Sequence, residues 1–207
     1  MNICLKHEFE QTIYLSTILY GFCTTQIINF YFTMLDEREQ HLRLHNIRRR
    51  QVVFVDTLFL ARLLNEGGSV DASTKDVPTP QYCYDKVSTW FINEREKRKK
   101  SIDIFSVDRI FIPVNTNNNH WALIVLHMHR KEMRYYDSMT GSHGRGHHVK
   151  DMLKRWMVDE AEAKKGTSDF VEADKWDIKF ETCPKQTNGR DCGVFTIMYA
   201  DFLVDHL

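Results

Sequence analysis

Residues 120–139 read HWALIVLHMHRKEMRYYDSM, and the fold turns on this stretch. WALIVLHM (121–128) is an almost unbroken apolar run, as in a strand buried on both faces, and MRYYD (133–137) resumes strand character after the charged break HRKE. Together they predict an antiparallel hairpin about a four-residue turn. Such a hairpin brings the residue before its first strand and the last residue of its second to the same end of the sheet. Those residues are His120 and Asp137. A carboxylate there accepts the imidazole N–H and decides which ring nitrogen stays free to act as a base.

A base of this kind needs a nucleophile, and QTNGRDCGVF (186–195) supplies a candidate. A run of turn formers precedes Cys192, and the strongly apolar VFTIMYADFL follows it, which places the cysteine in the first turn of a helix. Residues 192–206 are apolar nearly all round apart from Asp201 and Asp205, as in a helix through the centre of a domain. At such a helix start the positive end of the dipole and unpaired backbone N–H groups favour thiolate over thiol. With His120 as proton acceptor and Asp137 as its orienter, the chain has a nucleophile, a base and a third group. Gln186 adds a side-chain amide which, with the backbone N–H of Cys192, can bind a developing oxyanion. Gly189 is read as permitting the turn that returns this amide, and Gly193 as permitting close approach of substrate.

Taken singly, each residue has a plainer reading: a packing thiol, a surface histidine, an aspartate capping a turn. The hairpin, however, joins His120 to Asp137 without any reference to Cys192. Cys183 is read as a packing or loop thiol.

Elsewhere the element types alternate without an internal repeat. TTQIINFYFTML (24–35) predicts a helix with a threonine cap, and QVVFVD (51–56) a short strand whose aspartate caps a second helix, TLFLARLLNE. Residues 67–80 have loop composition. Residues 81–99 predict a helix whose basic tail, REKRKK, is a solvated end, and RIFIPV (109–114) predicts a strand. HGRGHH (143–148) is read as a solvated loop and not as a metal site, having no cysteine or acidic cage nearby. Val149, Met152, Leu153, Trp156 and Met157 fall at helical spacing and form a packing stripe, and WDIKFE (176–181) alternates as a half-buried strand.

Composition narrows the function classes. The chain has 207 residues, 43% hydrophobic and 12% aromatic, enough for one domain over residues 1–207 with a sizeable core. Lys+Arg and Asp+Glu both total 28, so no global field draws it to nucleic acid or to an anionic membrane. The start, MNICLKHEFEQTIYL, lacks a signal-peptide core, and no apolar run is long enough for a membrane span. Five cysteines without a CxxC pair argue for reduced thiols over a disulfide framework or zinc ribbon. The expectation is a soluble intracellular monomer with no metal or cofactor.

The chain resembles the ubiquitin-like-protein-specific cysteine proteases, the Ulp and sentrin-specific protease family. The likeness rests on HWALIVL, on the YYDSM that follows and on QTNGRDCGVF, in the family's order His, Asp, Gln, Cys. It extends weakly to IINFYF (27–32) and KVSTWF (86–91). It implies a papain-like α+β fold, with the cysteine on a central helix packed against a mixed sheet that carries histidine and aspartate. It implies cleavage after the C-terminal diglycine of a ubiquitin-like modifier, SUMO-like foremost, for precursor processing or for deconjugation in the nucleus or cytoplasm. It further implies that Trp121 lines a narrow tunnel for the diglycine tail, whose aromatic walls exclude any residue with a side chain. Where the family usually has a Trp-Leu-Asn-Asp-like stretch, this chain reads FCTT, with Phe22 at the tryptophan and Thr25 at the aspartate. Phenylalanine can still wall a tunnel, whereas loss of the carboxylate removes a salt bridge to the modifier. Two rival readings are an acetyltransferase of the same fold and a non-catalytic domain that binds a ubiquitin-like protein. The intact His120, Asp137, Gln186 and Cys192 argue against the second.

Overall fold

The computed structural model describes residues 25–45, 47, 50–65, 82–93, 100–116, 119–140 and 143–206. Its centre is the predicted hairpin. Strand β5 (His120–His127) is buried at every position and pairs with β6 (Glu132–Tyr136) in antiparallel register, Leu123 opposite Tyr136 and His127 opposite Glu132. The connection is the four residues 128–131, one residue earlier than the sequence pattern suggests, and Lys131 closes it at φ 53°.

On the other side of β5 runs β4 (Arg109–Thr116), antiparallel, with Thr116 opposite His120. Two edge strands pair in parallel: β1 (Val52–Phe54) on β4, and β7 (Asp177–Phe180) on β6. The result is a mixed five-stranded sheet in the order β1-β4-β5-β6-β7.

Helices cover both faces, which is why β5 reads as continuous apolar sequence and not as alternation. On one face α1 (Thr25–Leu44) and α4 (Cys192–Asp205) enclose Phe32, Phe111, Leu123, Val125 and Ile197. On the other, α2 (Leu58–Leu63) and α3 (His143–Lys165) enclose Phe59, Ile110, Ile124, Leu153 and Trp156. Of the stripe read at Val149, Met152, Leu153, Trp156 and Met157, all are fully buried except Met152, which is half-buried. Asp56 caps α2 as expected, its Oδ1 accepting the Leu58 N–H at 2.7 Å.

Four expectations are revised. The first helix continues beyond residue 35 to Leu44, where Arg38 holds Asp201 at 2.7 Å and Asp205 at 3.0 Å, satisfying the two acidic residues of α4. Residues 82–93 are not a helix. They form a 3-10 turn at Tyr84–Lys86 and strand β2 (Ile92–Asn93), which pairs with β3 (Lys100–Ser101). Tertiary anchors override the local pattern there, because the Tyr82 and Tyr84 hydroxyls donate to Asp159 and Glu160 of α3. HGRGHH is the first turn and a half of α3 rather than a loop. Gly146, a breaker by composition, is needed for close approach: a Cβ there would stand 2.7 Å from the Phe180 ring. Finally, α4 is not enclosed all round, since Met198 and Phe202 are 57% and 62% exposed. The threonine cap at residue 24, the loop over 67–80 and most of the basic run lie outside the described residues.

Among the described residues, no helix is long and apolar enough to cross a membrane, and no three His, Cys, Asp or Glu side chains are placed to share a metal ion.

Candidate active site

The end of the sheet where β5 begins and β6 stops is continued by a hydrogen-bonded loop. Beyond β7 the chain stays zipped to the end of β6. Glu181 N–H donates to Tyr135 O at 2.9 Å, the Cys183 thiol and Lys185 Nζ donate to Asp137 O at 3.3 and 2.7 Å, and Gln186 N–H donates to Ser138 O at 3.0 Å. Tyr199 of α4 donates to Pro184 O at 2.5 Å. Residues 187–191 then turn into α4. This turn is built by Asn188, whose Oδ1 accepts the N–H groups of Arg190 at 2.8 Å and Asp191 at 3.1 Å. The expected role for Gly189 is therefore corrected: its backbone is not left-handed, and a Cβ would meet nothing within 4 Å. An Asx-type turn does the work because the Asn188 carboxamide mimics a backbone acceptor.

His120 and Asp137 meet as the hairpin predicts. The ring donates from Nε2 to Asp137 Oδ1 at 2.8 Å, and both side chains are buried. The same carboxylate oxygen accepts the Met139 N–H at 2.7 Å, which fixes its orientation. This bond selects the tautomer, so Nδ1 is the nitrogen left for the Cys192 thiol.

Cys192, 3% exposed, is the first residue of α4 and stands beside that ring. Burial favours the neutral imidazole, but the hydrogen bonds to Asp137 and Cys192, with their charges, outweigh it and push His120 up to about 9. Burial also raises the Cys192 thiol. Against it act the His120 hydrogen bond, the backbone N–H of Trp121, the imidazolium charge and the Gly193 N–H, and together they hold the thiol below its ordinary value. Both shifts favour the charged form of their group, thiolate beside imidazolium.

Gln186 arrives on the zipped loop. Its Oε1 accepts from Ser138 Oγ at 2.5 Å, and its Nε2 donates to Asn188 O at 2.6 Å. Trp121 is buried in the apolar cluster that contains Cys192, Leu123 and Tyr136. Phe22 lies outside the described residues, and Thr25 is the first residue of α1. Cys183 is half-buried beneath Asp137, consistent with its reading as a loop thiol.

Sequence reasoning missed three participants. The backbone N–H of Trp121 reaches the Cys192 sulfur, although the sequence pointed only to the indole. Ser138 and Asn188 hold the Gln186 amide, although in YYDSM and QTNGRDC the sequence pointed to Asp137, Gln186, Gly189 and Cys192. The available signal was adjacency: Ser138 follows Asp137, and Asn188 lies two residues after Gln186.

A cysteine opens α4 against a histidine–aspartate pair at the end of a mixed sheet, an α+β arrangement. The chain belongs to the Ulp1 protease family, matching its C-terminal catalytic domain over residues 22–206. It is 29% identical over 183 residues to the ubiquitin-like-specific protease ESD4 of Arabidopsis thaliana, covering 86% of this chain and 31% of that protein. It is 27% identical over 188 residues to sentrin-specific protease 2 of Rattus norvegicus, covering 89% of this chain and 26% of that protein. The chain thus spans less than a third of the length of these relatives. Its fold matches the C-terminal Ulp1 protease domain solved in complex with Smt3, the yeast ortholog of SUMO. That match has a TM-score of 0.62 at 22% identity and covers 89% of this chain and 66% of the other.

Proposed function

We propose that this chain is a cysteine peptidase that cleaves after the C-terminal diglycine of a ubiquitin-like modifier, SUMO-like foremost, either to mature a precursor or to release the modifier from a lysine. The observation that carries this reading is the His120–Asp137 hydrogen bond at 2.8 Å beside a Cys192 thiol held below its ordinary value. Family membership and the printed activities of the relatives support the substrate class.

In this reading the Cys192 thiolate adds to the carbonyl carbon of the terminal glycine, and the carbonyl π electrons move to oxygen. The oxyanion is met by the backbone N–H of Cys192 and by the Gln186 side-chain amide. The His120 imidazolium, stabilised by Asp137, gives its proton to the departing amine as the C–N bond breaks, leaving a thioester on Cys192. Water then adds to the thioester, His120 takes its proton, and the carboxylate leaves as the thiolate is regenerated. Trp121 lines the path of the diglycine tail, with Phe22 as its opposite wall. Residues 1–207 act as one monomeric catalytic domain, in the nucleus or the cytoplasm where such conjugates are found.

The test is incubation with Smt3 and with ubiquitin, each carrying a C-terminal electrophile, followed by mass measurement of the intact protein and its peptides. A one-to-one adduct of Smt3 on Cys192 is expected. No adduct with either probe, or attachment at Cys183 instead, overturns the reading.

A further inference from the structure

We infer that Ser138 is the positioning residue that aims the oxyanion-binding amide of Gln186, so that Asp137 and Ser138, adjacent at the end of β6, serve the two halves of the catalytic apparatus. The inference rests on the peptidase reading above.

A glutamine amide has two ends of nearly equal shape and opposite hydrogen-bonding sense. If Oε1 faced the substrate, it would repel an oxyanion. Two contacts decide which end does so. The Asn188 carbonyl can only accept, so the group 2.6 Å from it must be Nε2. The Ser138 hydroxyl, 2.5 Å from the other end, must then donate to Oε1. With one Nε2 proton committed to Asn188, the second is left over, and it is the one that can reach a developing negative charge. Ser138 also holds the glutamine backbone through the Gln186 N–H at 3.0 Å. Ser138 is 1% exposed, so its hydroxyl is shielded from water. A hydroxyl at this position therefore fixes which end of the amide is turned away from Asn188. Asn188 alone would leave the amide free to swing about a single contact.

The neighbouring residue makes the arrangement directional. Asp137 and Ser138 follow directly on the last residue of β6, and their side chains go to different partners. Asp137 turns to His120, and Ser138 turns to the loop that carries Gln186. The residues that hold the base and the oxyanion donor are thus one peptide unit apart. Variation of either side chain should affect a different step: Asp137 the ionisation of Cys192, Ser138 the stabilisation of the tetrahedral intermediate.

The experiment is a double-mutant cycle on hydrolysis of Smt3 carrying a C-terminal aminomethylcoumarin, with kcat and KM separated. Gln186→Ala is expected to lower kcat by about 10²- to 10³-fold, as for loss of one oxyanion donor. Ser138→Ala is expected to lower kcat by about tenfold with KM unchanged, the effect of one lost hydrogen bond. The double variant should be no slower than Gln186→Ala, because Ser138 has nothing left to aim. Ser138→Thr, which keeps the hydroxyl, should recover most of the rate. The pH profile of Cys192 alkylation by iodoacetamide should be the same in Ser138→Ala as in the wild type, which separates aiming of Gln186 from disturbance of Asp137. Multiplicative loss in the double variant, or a shifted alkylation profile in Ser138→Ala, overturns the inference and leaves the peptidase reading intact. An inactive wild type whose Cys192 takes no modifier probe overturns both.

Discussion

Asp137 Oδ1 accepts two hydrogen bonds, from His120 Nε2 at 2.8 Å and from the Met139 N–H at 2.7 Å. The register that sets Leu123 opposite Tyr136 makes His120 and Asp137 diagonal neighbours on the hairpin, not direct partners. The carboxylate spans the diagonal because the backbone beyond β6 turns back and pins it.

In the proposed mechanism Asp137 orients His120, so its loss is felt in turnover. Asp137→Ala should lower kcat by several orders of magnitude while modifier binding changes little. Binding of a Cys192→Ser, Asp137→Ala double variant to Smt3 checks the second half. If binding collapses while turnover survives, Asp137 is a substrate contact.

Serine keeps nearly the volume of cysteine but ionises far less readily. Cys192→Ser should abolish hydrolysis of an Smt3–reporter fusion and retain its binding, whereas Cys183→Ala should leave turnover within a few-fold of wild type. Equal losses from the two changes would remove the distinction between the nucleophile and the loop thiol beneath Asp137.

The ionised pair gives a stability signature with a definite sign. His120 is raised from 6.5 to about 9, so its contribution to stability is complete below pH 6.5 and is lost as pH rises through about 9. The lowered Cys192 thiol contributes with the opposite sign in the same window, so in a Cys192→Ser background the urea midpoint should fall across that window by more than in the same background carrying Asp137→Ala. Parallel pH profiles for the two proteins would contradict the pairing. The Cys192 thiol, lowered by the same pair, should titrate at higher pH in Asp137→Ala when followed by iodoacetamide alkylation.

If Trp121 walls a slot admitting only glycine, Smt3 ending in Gly-Ala should be cleaved about 10- to 100-fold more slowly than Smt3 ending in Gly-Gly, the range expected for one methyl group. Trp121→Ala should narrow that ratio while lowering both rates, since the tail is then poorly held near Cys192. An unchanged ratio would place the restriction elsewhere.

Stability of the opposite sheet face should be separable from the chemistry. Trp156 is fully buried and meets Phe59 edge-on at 5.1 Å and Phe91 at 5.7 Å. Trp156→Ala should cost about 3–5 kcal/mol in urea unfolding. Alkylation of Cys192 in the protein that remains folded should keep its wild-type pH dependence.

The sequence by itself determined what depends on local pattern and chain order. An apolar run too long to alternate specified a strand covered on both faces, and the break HRKE specified its hairpin, from which the meeting of His120 and Asp137 followed by geometry alone. Turn formers before an apolar segment specified Cys192 as a helix start. Tertiary structure decided what depends on contacts between distant segments. HGRGHH became helical because Gly146 lets α3 close on Phe180, and the segment after Tyr82 gave up a helix because its tyrosines are held by α3. The same is true of the loop zipped to the end of β6, where Ser138 meets Gln186 across 48 residues of chain. Periodicity reports which face of an element is buried. It carries no record of which distant donor will find a particular acceptor, because that match exists only after the layers have packed.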